Sequence, residues 1–133
     1  ANSYRYVQKP GYNNSLGLVK FNFPNSHLVY LHDTNHRDYF VKTYRSLSSG
    51  CVRIENPLVL AKKILVKENP KKWDSPEIDS IIKREKTKTV SIKDTVNIHI
   101  FYWTSWLENN QLQFRTDIYE IDKELFLKLR NRN

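Results

Sequence analysis

The chain has 133 residues, with 22 Lys and Arg against 14 Asp and Glu for a net charge of +8, a length that suits one domain, residues 1–133. With 39% hydrophobic residues, 3 Gly, 5 Pro and a single Cys, it is excluded from the collagen-like, low-complexity and disulfide-framed classes. No apolar run approaches the ~20 residues of a membrane span, so no transmembrane segment is expected.

Residues 1–17 are rich in Asn, Ser, Gly and Pro, with Pro10-Gly11 and Asn13-Asn14 as turn signals; they read as a loop after a short strand over 4–7. Residues 18–23 and 28–32 alternate apolar and polar with period two, so both read as strands joined by the turn Pro24-Asn25-Ser26. The polar connection over 33–50 is expected to hold one helical turn near 38–41. Its length is unusual for a structureless loop, and such loops often carry function. Asn56-Pro57 reads as N-cap and N1 of a helix to about Lys67, burying Leu58, Leu60, Ala61, Ile64 and Leu65. Ser75-Pro76 opens a second helix, ending near Lys86, with Ile78, Ile81 and Ile82 inward. Strands follow at 89–92 and 96–107, and the turn 108–110 leads to a hairpin partner over 111–119. A last helix over 123–130 closes the chain. The pattern is α+β: a mixed, largely antiparallel sheet with inserted helices.

The charge is uneven, since residues 57–93 hold ten basic and five acidic side chains. Together with the 13% aromatic content, this defines an alternative function, a basic binding module for wall polymer or nucleic acid without catalysis. No nucleic-acid motif accompanies it, and no nucleic-acid partner is expected.

A sharper signal surrounds the one cysteine. Cys51 lies in the polar, glycine-containing turn Ser48-Ser49-Gly50-Cys51-Val52-Arg53, unlike the usual site of an inert core thiol. His32 ends a strand, with Tyr30 two residues earlier and therefore on the same face. A loop from His32 back to the Gly-Cys turn can bring imidazole and thiol together. A thiol of ordinary pKa near ~8.5 needs a base or a cation to become thiolate at neutral pH; His32 supplies the first and Arg53 the second. His27, His36 and His99 lack suitable neighbours, and neither a metal nor an organic cofactor is called for. Asn56 reads as a helix cap, and Trp73, Phe101, Trp103 and Trp106 as core or sheet-face residues.

Residues 30–56, from Tyr-Leu-His-Asp-Thr through Leu-Ser-Ser-Gly-Cys-Val-Arg-Ile-Glu-Asn, resemble the active-site segment of the L,D-transpeptidases, the YkuD-type catalytic domain. Pro10-Gly11-Tyr12-Asn13-Asn14-Ser15-Leu16-Gly17 with Lys20-Phe21 resembles the loop and strand before it. Phe114-Arg115-Thr116-Asp117-Ile118-Tyr119 resembles the closing strand of the periplasmic YcbB-like members, which are the nearest in pattern. Ser49 stands where most of the family has His, as it does in YcbB-like members. Family domains begin with further strands ahead of the point matching Ala1, so the chain is expected to be a portion of such a domain, its N-terminal strands missing.

The resemblance implies an enzyme that cross-links peptidoglycan stem peptides outside the cytoplasm, in the periplasm or cell envelope. Cys51 would be the nucleophile on the third residue of a stem tetrapeptide, a diacid such as diaminopimelate. D-Ala would leave, and the thioester would pass to the side-chain amine of a second stem. His32 would be the base, oriented by the main-chain carbonyl of Ser48 as the third member of a Cys–His–X triad. Gly50 and Cys51 amides would form the oxyanion hole, with Ser49 beside them. Arg53 would hold the turn and favour thiolate, and Tyr30 would line the donor side. A carbapenem would be expected to acylate Cys51. A papain-like endopeptidase is disfavoured by chain order, because here His32 precedes Cys51.

Overall fold

In the computed structural model, which describes residues 3–48 and 50–131, the period-two stretches condense into short strands. β1 (Lys20–Phe21) and β2 (Leu31–His32) pair antiparallel, with Lys20 opposite His32 and Phe21 opposite Leu31. The turn between them is organised by Asn25, whose Oδ1 accepts from the amides of His27 and Val29 and whose Nδ2 donates to the carbonyls of Phe23 and Val29. An asparagine that bonds its own neighbouring backbone in this way is a local alternative to sheet pairing.

β3 (Val52–Arg53) lies on the other side of β2 and runs parallel to it, pairing Val52 with Leu31 and Arg53 with His32. A parallel neighbour requires a crossover, and residues 33–51 supply it with a 3-10 turn at Arg37–Val41, close to the expected helical turn. Single backbone bonds extend the ladder beyond the strands: Asp33 N to Val19 O at 2.8 Å, Val52 N to Tyr30 O at 3.1 Å and Ile54 N to His32 O at 2.9 Å.

Helix α1 (Pro57–Glu68) begins with Pro at the position that needs no N–H donor. Asn56 does not cap it with its side chain as expected; it takes a left-handed conformation, φ 55°, and its carbonyl accepts from Val59 N at 3.0 Å. In α2 (Ser75–Lys83) the cap is Asp74, one residue before the expected serine, its Oδ1 accepting from Glu77 N at 2.8 Å. The helix stops short of Lys86 because Glu85 turns left-handed at φ 49°. Pro57, Ala61, Trp73 and Ile78 are buried, whereas Leu60 of the expected stripe is exposed. Lys62 reaches Asp79 at 2.7 Å across the two helices. The Glu68 carboxylate accepts from Asp94 N and Lys93 N, each at 3.0 Å, which holds it below the usual carboxylate range.

These elements belong to one unit, Ala1–Thr95; a second comprises Val96–Asn133. In the second, β4 (Ser105–Glu108) and β5 (Gln111–Phe114) form a hairpin in the register Ser105–Phe114 to Glu108–Gln111. Asn109 and Asn110 both have positive φ, 49° and 62°, the requirement of the tight turn that matches strand twist. Helix α3 (Asp122–Arg130) starts where Asp117 Oδ2 accepts from Asp122 N at 2.7 Å, and this bond keeps the Asp117 carboxyl below its ordinary range.

The architecture is α+β with mixed, largely antiparallel sheets, as the pattern predicts. The strands are shorter than expected, and residues 4–7 and 89–92 form none. An alternating segment becomes a strand only where a neighbour completes its hydrogen-bond ladder; among the described residues no strand pairs with 96–103, and the Thr104 carbonyl accepts a single bond from Arg115 N at 2.8 Å. Phe101 and Trp103, expected in a core or on a sheet face, are 69% and 61% exposed. Among the described residues no helix is long and apolar enough to cross a membrane.

Candidate active site

Alternation along β2 sends Tyr30 and His32 to one face and Leu31 and Asp33 to the other. Residues paired across neighbouring strands share a face, so Lys20 and Arg53, the two partners of His32, join it. Cys51, two residues before Arg53, lies on the same side. One face of the three-stranded sheet therefore gathers Lys20, Tyr30, His32, Cys51 and Arg53.

Tyr30 is the side chain that touches most of this group. Its ring centroid is 5.5 Å from that of His32, and the Lys20 ammonium sits 3.8 Å above the ring. Its phenol is held above the ordinary value, first by a side-chain hydrogen bond with Cys51, then by burial and the charge a thiolate would carry. Cys51 itself is half-buried.

His32, Asp33 and Thr34 are buried, with 5%, 2% and 0% of their surface exposed. Three consecutive buried polar residues require partners, and most are present. Asp33 Oδ2 accepts from Leu18 N at 2.8 Å and pairs with Arg37, while Thr34 Oγ1 accepts from His36 N at 3.0 Å. The Asp33 carboxyl occupies the space a side chain at Gly17 would need, and Gly17 adopts φ 61°. The glycine loop and the end of β2 thus interlock on the face away from His32.

The His32 imidazole is pushed below its ordinary 6.5, first by burial and further by the positive charges of Arg53 and Lys20. The neighbouring Asp33 peptide and carboxylate oppose that shift. The ring is consequently neutral at neutral pH and able to accept a proton. Its Nδ1 is buried without a hydrogen-bond partner among the described residues. The expected contact from Ser48 is not made there: the Ser48 hydroxyl donates to the Cys51 carbonyl at 2.7 Å, closing the turn. Ser49 lies outside the described residues.

Gly50 has φ 137°, with nothing within 4 Å of where a Cβ would project, so the backbone before the thiol is open to an approaching group. The crossover is tied to this face through Tyr39, which stacks on His36 at 4.8 Å and lies beneath Lys42 at 4.1 Å and Arg53 at 5.5 Å. Among the described residues no three His, Cys, Asp or Glu side chains group as a metal site. Sequence reasoning singled out Tyr30, His32, Cys51 and Arg53 but not Lys20 as a site residue. The available signal was the hairpin register, which turns Lys20 toward His32 once the Asn25 turn is placed.

The sequence model of the L,D-transpeptidase catalytic domain (YkuD) matches residues 1–98. A protein of Haemophilus influenzae, whose name gives it provisionally as an L,D-transpeptidase, is 38% identical over 124 residues. The match covers 93% of this chain and 24% of that relative, so the chain spans about a quarter of its length.

Proposed function

Because the chain belongs to the L,D-transpeptidase catalytic-domain family, we propose that it acts on peptidoglycan, outside the cytoplasm in the periplasm or cell envelope, as a cysteine-dependent acyltransferase within one catalytic domain. The observation that carries this reading is the single sheet face on which Tyr30, His32, Cys51 and Arg53 meet.

In the first step the Cys51 Sγ attacks the carbonyl carbon of the third residue of a stem tetrapeptide while neutral His32 takes the thiol proton. The oxyanion receives the amides of Gly50 and Cys51, which the open glycine backbone leaves accessible. Collapse breaks the peptide bond; D-Ala departs with the proton returned by His32, and a thioester remains. The side-chain amine of a second stem then attacks the thioester carbonyl and gives its proton to His32. Sγ leaves and is reprotonated, so the enzyme is regenerated with one new amide bond. Arg53 stabilises the thiolate as it forms, and the Tyr30 phenol, beside Cys51, helps position the sulfur. Ser48 acts on the turn by bonding the Cys51 carbonyl.

The test is intact-mass analysis of the chain with a stem tetrapeptide. Wild type is expected to release D-Ala and gain the acyl tripeptide at Cys51, and Cys51→Ala is expected to do neither. D-Ala release at equal rates by both proteins, or a folded wild type that stays unmodified, overturns the reading.

A further inference from the structure

Lys20 and Arg53 flank His32 on the same face, one in register on each side. With neighbouring strands ~4.8 Å apart, the three backbones lie in a row across the sheet. Two cations so close to an imidazole and a thiol ordinarily attract carboxylates of the protein itself. Neither does so: among the described residues the ion pairs are Arg37–Asp33, Lys62–Asp79 and Lys128–Glu124. The cations rest on aromatic faces instead, Lys20 on Tyr30 at 3.8 Å and Arg53 on Tyr39 at 5.5 Å. Arg53 Nε is buried and meets no acceptor among the described residues. A buried donor left unmatched is costly, and an arginine fork without an acceptor is suited to a planar anion from outside. The adjacent carboxylate of Asp33 lies toward the other face, its Oδ2 engaged by Leu18 N and Arg37.

We propose that Lys20 is a specificity-determining residue which, with Arg53, grips a carboxylate of the donor stem peptide above His32. The inference rests on the transpeptidase reading of the same face and names the group that the face selects. Two donor carboxylates have the required chemistry: the one at the end of the diacid side chain and the one on the departing D-Ala. Lys20 places its charge beside the ring of Tyr30, at the edge of the group that holds the sulfur, so a carboxylate seated there is fixed relative to the scissile carbonyl.

Binding to the Cys51→Ala chain reads this grip without requiring acylation. Calorimetric titration would use three tetrapeptides: one with both carboxylates free, one with the side-chain carboxylate converted to amide, and one with the D-Ala carboxylate converted to amide. One amide is expected to bind about tenfold more weakly than the free acid, a typical effect of losing one charge-assisted contact, and which amide does so identifies the carboxylate. Adding Lys20→Met, which keeps an apolar stem over Tyr30, is expected to bring the acid-to-amide ratio to about one; Lys20→Arg is expected to restore it. Equal binding of all three peptides, or a ratio unaltered in the Lys20→Met variant, overturns the proposal. Acylation of wild type by an amidated peptide would in either case leave the transpeptidase reading standing, so the two ideas fail separately.

Discussion

Replacing His32 by alanine is expected to slow acylation of Cys51 by about 10²–10⁴-fold, the usual contribution of a positioned general base. The imidazole is buried beside two cations, which lowers its pKa from 6.5. Its neutral, proton-accepting form therefore persists as pH falls through 6.5 and is lost only at lower pH. The wild-type acylation rate should fall off with decreasing pH at a midpoint below 6.5. In His32→Ala no side-chain base takes the thiol proton, and the rate should climb steadily with pH. Stopped-flow or quenched mass measurement of acylation as a function of pH gives both profiles. Superimposable profiles would remove His32 from the reaction.

The largest effect on stability is expected at Gly17. An alanine there would hold an L residue at φ 61° and overlap the buried Asp33 carboxyl. The left-handed backbone costs roughly 1–2 kcal/mol, and forcing side-chain atoms into filled space roughly 1–3 kcal/mol. The combined loss of about 2–5 kcal/mol is a large share of a typical domain's ~5–15 kcal/mol. Relief by moving Asp33 would break its bonds to Leu18 N and Arg37 and disturb its chain neighbour His32. Gly50→Ala is the comparison, since φ there is 137° but the space is open, leaving backbone strain alone. Urea unfolding is expected to show Gly17→Ala as clearly the less stable variant; equal midpoints would contradict the interlock.

The features legible in the sequence are those set by local chemistry. Pro57 and Pro76 lie in first helical turns, the Asn109-Asn110 pair makes the hairpin turn, and the period-two stretches around Lys20 and Leu31 supply the antiparallel pair. The same alternation let Tyr30 and His32 be placed on one face. What depends on distant partners was not legible. Strand length is set by the neighbour, so β1 and β2 are two residues each despite longer patterns. Asn56 looked like a cap by residue type, yet φ 55° turns it away from that role. Asp33 reads as a loop residue, and its burial follows from the approach of Gly17, sixteen positions earlier in the chain. Lys20 acquires its place only when the turn at Asn25 fixes which residue faces His32. The bond from the Ser48 hydroxyl to the Cys51 carbonyl, in place of a contact with His32, is not legible in the order of residues along the chain.

The most direct measurement of the central claim, that Cys51 is the nucleophile of an acyl-transfer site, is intact-mass analysis after exposure to a carbapenem. Opening of the β-lactam by Sγ joins the whole drug to the protein with no leaving group, so the folded wild type should gain one drug mass, mapped by peptide fragmentation to Cys51, and Cys51→Ala should gain none. An unmodified folded wild type, or an adduct of equal yield in Cys51→Ala, would contradict the account.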